Sequence, residues 1–283
     1  VVNNNEIEPS IFYGCSNLTT LTITGSGTIS GSNPVVGSLS EVITTLTIGN
    51  EIEGIGASAF QPCANLATLS VGSGVKSIGN SAFEGCALTS LEIPDNVETI
   101  NDHAFDNCTN LATLSLGSGV TTIGDNAFEN CTNLATLSLG SGVTTIGNYA
   151  FSGCGLTTLT IPASVTTIGN SAFSGCAMTT LAIPASVTSI GENAFSSCEA
   201  LASATIPNNN EIEPSIFYGC SKLTTITITG SGIISDSNPV KGSLSGVITT
   251  LTIGDGIKDI DNSAFEGCNK LATLSLGSGV TTI

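Results

Sequence analysis

Residues 156–176 read LTTLTIPASVTTIGNSAFSGC, and this stretch decides the fold because the same unit returns along the whole chain. Its pattern is L-x-x-L-x-I-[PG]-x-x-V-x-x-I-G-x-x-A-F-x-x-C. The ten phenylalanines, Phe12, Phe60, Phe83, Phe105, Phe128, Phe151, Phe173, Phe195, Phe217 and Phe265, are separated by 48, 23, 22, 23, 23, 22, 22, 22 and 48 residues. Each is followed three positions later by Cys, which accounts for all ten cysteines. A period this short overrides the two globular domains that 283 residues would otherwise suggest.

Within the unit, Leu159 and Ile161 alternate with Thr158 and Thr160, the signature of a strand with one buried face. Pro or Gly then turns the chain, Val165 and Ile168 point inward, Gly169 permits another turn, and Ala172, Phe173 and Cys176 fill the far side. No single unit can bury these side chains. Stacking hides them, with strands pairing in parallel at ~4.8 Å and each buried Leu, Ile, Val or Phe stabilising by ~1.5 to 3 kcal/mol. Length varies mainly after Cys: CAL at Cys86 and CAM at Cys176 are short, whereas CTNL at Cys108 and Cys131 is long.

Each 48-residue gap holds an extra strand-like stretch, VITTLTIG around Leu46 and Leu251, without its own Phe and Cys. Twelve strands are therefore expected, with degenerate rungs near 24–48 and 229–253 forming a protruding loop or an extra turn. A longer period is also present, since NNNEIEPSIFYGCS occurs at Asn3–Ser16 and again at Asn208–Ser221. Residues 1–283 are expected to form a single solenoid of about twelve rungs of 22–25 residues, a fragment of a longer protein.

The pattern I-P-x-x-V-x-x-I-G-x-x-A-F-x-x-C closely resembles the BspA-like, or Treponema-type, leucine-rich repeats, over essentially the whole chain. The resemblance implies a mainly β repeat solenoid: a right-handed coil with one parallel sheet and a convex side of turns, short strands or short helical turns. It implies a surface or secreted protein, typical of anaerobic mucosal bacteria and protozoan parasites, that adheres to host matrix proteins or other microbes. It implies no enzyme activity and supplies no binding residues for the degenerate rungs.

Composition narrows the partners. Five lysines, no arginine and 22 acidic residues give a net charge of -17, which repels nucleic acid and anionic lipid alike. No stretch approaches the ~20 apolar residues of a membrane-spanning helix, so direct membrane insertion of this segment is not expected. Charged residues are 10% of the chain, and polarity rests instead on Gly, Ser, Thr and Asn, suited to turns and strand faces.

Most chemistry-bearing residues read as structural. Cysteines at the repeat period stack on the apolar interior, where free thiols are favoured over disulfides because aligned parallel side chains fit disulfide torsions poorly. Zinc is disfavoured for the same burial. His103 is the sole histidine, a turn residue with no triad around it. Asp255, Asp259 and Asp261 lack the ligand pattern of a calcium loop, and the GSGV glycines precede an inward Val and not a phosphate-binding helix. Asn17, Asn107 and Asn130 begin N-x-[ST] triplets that matter only in a eukaryotic secretory pathway. No cofactor, metal or catalytic set is expected.

The outward feature is a strip of hydroxyls: Thr20 and Thr22, Thr45 and Thr47, Thr113 and Ser115, Thr158 and Thr160, Thr225 and Thr227, Thr250 and Thr252. β-propensity alone accounts for threonine there, and ligand binding is the competing account. These twelve are the candidate binding residues, for extracellular matrix or other surface proteins, or glycans, outside or at the surface of a cell. A passive stalk is the alternative. Ice binding through Thr-x-Thr arrays is a third reading, weakened by Glu92 and Ala182, which interrupt the array.

Overall fold

The computed structural model describes residues 2–3, 15–30, 39–208, 215–236, 238, 240 and 244–283. Phe12 and parts of both NNNEIEPSIFYGCS copies and of the two degenerate rungs lie outside these residues. The chain winds as a parallel β-solenoid, and among the described residues it holds no helix.

A first ladder is built from the L-x-x-L-x-I segments. It runs as three sheets. Val2–Asn3, Thr20–Gly25, Thr45–Ile48 and Thr68–Ser70 form the first, and Ser90–Ile93, Thr113–Leu116 and Thr136–Ser138 the second. Thr180–Ala182, Ser203–Asn208, Thr225–Gly230, Thr250–Ile253 and Thr273–Ser275 form the third. Register stacks like on like, Leu91 against Leu114 against Leu137. The alternation of buried and exposed residues along TLTITG follows from that register, because a one-residue slip would turn the leucines to water.

A second ladder follows the V-x-x-I segments. Gly27–Ile29, Ile52–Ile55, Ser77–Ile78, Thr99–Ile100, Thr122–Ile123, Thr145–Ile146, Thr167–Ile168 and Ser189–Ile190 pair in one unbroken parallel sheet. Gly232–Ile234 pairs separately with Ile257–Ile260. This ladder gives the convex side the short strands that were one of its three expected forms. Two-residue strands suffice for the second because each residue is paired on both sides.

A third set of inter-rung bonds lies at the phenylalanine corner and is not β. The Phe83 amide donates to Ala104 O, that of Phe105 to Ala127 O and that of Phe128 to Ala150 O, each 2.8 Å. This requires left-handed backbone two residues before each Phe, as at Ser81 (φ 54°), His103 (56°) and Asn126 (58°), and again two residues after, at Asn107 (58°) and Asn130 (57°). Asn and Gly tolerate that conformation better than other residues. Inside the corner, Phe60 through Phe195 stack at ring-centroid distances of 5.1 to 5.5 Å. Each thiol from Cys86 through Cys220 donates to the phenylalanine carbonyl one rung back, Cys108 to Phe83 O at 3.3 Å and Cys154 to Phe128 O at 3.2 Å. A small, buried, weak donor is what that position uses.

The first ladder breaks wherever a rung enters through the short turn. In the long form the Leu amide donates back to the Cys carbonyl, as Leu111 to Cys108 (3.0 Å) and Leu134 to Cys131 (2.9 Å). In the short form Leu88, Leu156 and Met178 stand only two residues after Cys, and this turn cannot close. The sheet is interrupted between Thr68–Ser70 and Ser90–Ile93, and on both sides of residues 156–161. LTTLTI at 156–161, expected to be a strand, is therefore not one. Twelve first-ladder strands, Val2–Asn3 included, are present among the described residues without it. Leu137, Leu139 and Leu159 beside the break are only partly buried, whereas Leu91, Leu114 and Leu181 are buried.

The rung lacking Phe and Cys is the one opened by Thr20–Gly25, since Thr45–Ile48 runs on to Phe60 and Cys63. Leu39 and Ile43, and likewise Leu244 and Ile248, are fully buried in that extra rung. Buried Asn238 donates from Nδ2 to Ala264 O at 2.8 Å, so a side-chain amide does what a phenylalanine backbone amide does elsewhere.

Glycine after the inward Ile was expected to serve a turn. Its reason is proximity: a Cβ on Gly147 would stand 2.6 Å from the Gly124 carbonyl carbon, and one on Gly142 2.0 Å from Ser118 O. Beside these glycines runs a ladder of side chains. Asp102 accepts the Asp125 amide (2.9 Å), Asp125 that of Asn148 (2.7 Å), Asn148 that of Asn170 and Asn170 that of Glu192 (both 2.8 Å).

Candidate binding surface

First-ladder register aligns the outward hydroxyls into two columns. In the first sheet Thr20, Thr45 and Thr68 are partners, as are Thr22, Thr47 and Ser70. In the second, Ser90, Thr113 and Thr136 align, and beside them Glu92, Ser115 and Ser138. In the third, Thr180, Ser203, Thr225, Thr250 and Thr273 align beside Ala182, Thr205, Thr227, Thr252 and Ser275.

All twelve candidates keep solvent contact. Thr20, Thr22, Thr113, Ser115, Thr158 and Thr160 are exposed, and Thr45, Thr47, Thr225, Thr227, Thr250 and Thr252 half-buried. Ten are held in strands, but Thr158 and Thr160 fall in the interrupted rung and share no ladder with the others. The columns also include Thr68, Ser70, Ser90, Thr136, Ser138, Thr180, Ser203, Thr205, Thr273 and Ser275, at the same two motif positions and findable by the same alignment.

The threonine just before a strand differs, in both ladders: Thr44 Oγ1 donates to Thr19 O at 3.3 Å and Thr249 Oγ1 to Thr224 O at 3.4 Å. Thr121 Oγ1 donates to Glu98 O and Thr144 Oγ1 to Thr121 O, both at 3.1 Å, and Thr166 and Thr188 continue the series at 3.3 Å. Those hydroxyls stitch rungs together. The hydroxyls of Thr113, Ser115, Thr225 and Thr250 make no such bond among the described residues, which leaves them for water or a ligand.

Two carboxylates stand out on or beside the first-ladder face. Glu92 is exposed in the second column. Asp95, just past the Pro94 turn, accepts the Ser118 amide (2.7 Å) and hydroxyl (3.0 Å), and these bonds hold its carboxyl below the usual carboxylate range. The Ser278 amide and hydroxyl do the same for Asp255. An open depression of about 310 Å³ lies over Ser90, Glu92, Thr113, Ser115, Thr136 and Ser138. It adjoins one of about 500 Å³ reaching Asp95 and Ser118.

At the corner, His103 Nδ1 lies 3.1 Å from Asp106 Oδ2. Burial pushes the Asp106 carboxyl up, with the His103 bond opposing. Burial likewise pushes the Cys63, Cys86 and Cys176 thiols up to about 12. All ten thiols are free, eight of them buried, with Cys15 exposed and Cys268 half-buried. Asn17, Asn107 and Asn130 are exposed. Among the described residues, no three His, Cys, Asp or Glu side chains converge to hold a metal ion, and no helix is long and apolar enough to cross a membrane.

The chain matches the family described as BspA type leucine rich repeat region, in six copies, over residues 2–112, 38–155, 121–242 and 243–283. No curated protein matches it. Among solved structures, it is similar to a leucine rich cell surface protein from Faecalibacterium prausnitzii A2-165, at 25% identity and TM-score 0.51, covering 92% of this chain and 88% of that one. It is also similar in fold to a leucine-rich repeat protein from Bacteroides ovatus ATCC 8483, at 20% identity and TM-score 0.54, covering 94% and 83%.

Proposed function

Because the chain belongs to the BspA-type leucine-rich-repeat proteins, we propose that it is a cell-surface or secreted binding module whose first-ladder face recognises other surface or matrix proteins, or their glycans. The observation that carries this reading is the contrast between two sets of hydroxyls. Those just before the strands of either ladder are consumed by inter-rung bonds, as at Thr44, Thr144 and Thr166. In the outward columns, the hydroxyls of Thr113, Ser115, Thr225 and Thr250 are left over among the described residues. The similar Faecalibacterium prausnitzii protein, described as a cell surface protein, supports the location.

The mechanism is multivalent. Each rung offers a few weak hydrogen bonds at a fixed spacing, and linked weak contacts gain strength through effective concentration. A net charge of -17 favours basic surfaces on the partner and makes binding salt-sensitive. The reading contains no catalytic step.

Binding of the purified chain to immobilised matrix proteins and host cells, measured across ionic strength, tests it. Saturable binding that weakens with salt is expected, and replacing Thr225, Thr227, Thr250 and Thr252 together by Ala weakens it. The same change at Thr121, Thr144, Thr166 and Thr188 lowers stability more than binding. Absence of saturable binding to every candidate would sink the proposal.

A passive spacer is the second reading, favoured by the stretch 130–191, which contains no charged residue. Deletion of 155–176 would then shorten reach and leave binding intact. The ladder breaks, together with Glu92 and Ala182, count against an ice-binding array, which needs an uninterrupted face.

A further inference from the structure

The hydroxyl columns have a property that a specific binder must overcome: they are nearly uniform. A ligand contacting identical hydroxyls at every rung has no preferred register and slides along the face. Specific docking needs a rung that differs, and the first ladder has one that carries a carboxylate within its columns.

Glu92 is the only carboxylate in the two columns. Three residues on, Asp95 occupies the position filled by Ser118 and Ser141 in the next rungs, and its carboxylate is fixed by the Ser118 amide and hydroxyl at 2.7 and 3.0 Å. Glu92 lines both adjoining open depressions, of about 310 and 500 Å³, and Asp95 the larger. The charge of the surrounding rungs agrees. Residues 84–129 carry eight acidic side chains and no Lys or Arg, whereas 130–191 carry no charge of any sign. An incoming cation is therefore drawn to one end of a neutral stretch.

We infer that the depression at Glu92, Asp95, Ser115 and Ser138 is the docking point for an extended basic segment of a partner protein, which sets that partner's register along the hydroxyl face. Lys or Arg side chains of the segment pair with Glu92 and Asp95. Its polar groups lie over Ser115 and Ser138 and continue onto the uncharged rungs. The two carboxylates supply orientation and association rate, and the hydroxyls supply the rest. The inference rests on the binding-module reading and locates its partner site.

The test uses the full 283-residue chain and three probes, the ten-residue peptides (Lys-Thr)5, (Ser-Thr)5 and (Glu-Thr)5, by calorimetry or fluorescence anisotropy. The expected result is saturable one-to-one binding of (Lys-Thr)5 alone. The double variant Glu92→Thr and Asp95→Ser, which gives this rung the hydroxyls found elsewhere, weakens that binding about tenfold and flattens its salt dependence. The charge-matched control Glu51→Gln and Glu192→Gln leaves it unchanged. Matched circular dichroism and melting of both variants shows that folding is not the cause.

Equal losses in the two double variants would mean attraction to net charge alone, and equal binding of (Ser-Thr)5 would mean that the hydroxyls suffice. Either overturns the docking point. If the Glu92→Thr, Asp95→Ser protein still binds immobilised matrix protein as wild type does, the docking point fails and the binding module survives. If wild type binds neither peptide nor matrix protein, both fall.

Discussion

At the residue scale, tolerance to substitution follows how closely neighbouring rungs approach. Gly142→Ala would drive a methyl to 2.0 Å from Ser118 O, a backbone atom that cannot swing aside. It is expected to lower stability by more than about 2 kcal/mol. Gly246→Ala meets nothing within 4 Å and is expected to stay within about 0.5 kcal/mol. Urea denaturation of the two variants checks the contrast. The sequence shows glycine at both places and does not distinguish them, because the cause is a neighbour 22 to 25 residues away and not the local turn.

The thiols give a pH prediction. Burial raises the folded-state pKa of Cys63, Cys86 and Cys176 from 9.0 to about 12, so the fold favours the neutral thiol. That contribution is complete below pH 9 and is lost as pH climbs toward 12. The melting temperature should therefore fall between about pH 9 and about pH 12, less steeply in Cys86→Ala. With a thiol reagent at neutral pH, Cys15 should react first and the eight buried thiols only after unfolding. The burial of the thiols was legible from their period, but their donation to phenylalanine carbonyls was not, since no side-chain pattern reports a backbone acceptor one rung back.

At the element scale, a single residue decides whether a strand forms. Inserting Asn between Gly155 and Leu156 would give the interrupted rung the long turn of Cys131 and let the Leu156 amide close on Cys154. Residues 158–160 should then pair, and the amides of 158–161 should exchange with solvent at least about tenfold more slowly. Deleting Asn133 should do the reverse and release Thr136–Ser138. Hydrogen exchange by mass spectrometry reads both.

The alternation of LTTLTI was identical in paired and unpaired copies, so periodicity announced the strand without announcing the break. The signal that separates them is the count of residues after Cys, visible in the sequence as length variation but not as a lost hydrogen bond. The second ladder was legible only in part. Val165 and Ile168 read correctly as inward, yet two-residue strands leave too short a pattern to announce themselves. The twelve hydroxyls were drawn from only some of the rungs, and the remaining column members follow once register is known.

At the scale of the whole molecule, charge is distributed by rung. A net charge of -17 on 283 residues opposes folding by self-repulsion. Raising ionic strength from about 0.01 to about 0.15 M shortens the screening length from ~30 to ~8 Å and should raise the melting temperature. Rungs 84–129 should gain most and 130–191 least, which regional hydrogen exchange at the two salt concentrations measures. A uniform gain would mean that acidic side chains on different rungs interact as one field.

The continuity of the second ladder past the gaps in the first carries a mechanical implication. Tension along the axis passes through an uninterrupted seam of hydrogen bonds at the back from residue 27 to residue 190. The leucine side is already parted near residue 158. The coil therefore bends most easily by yawning on the side of the hydroxyl columns, which would let that side adjust its width to a partner while the back keeps its length.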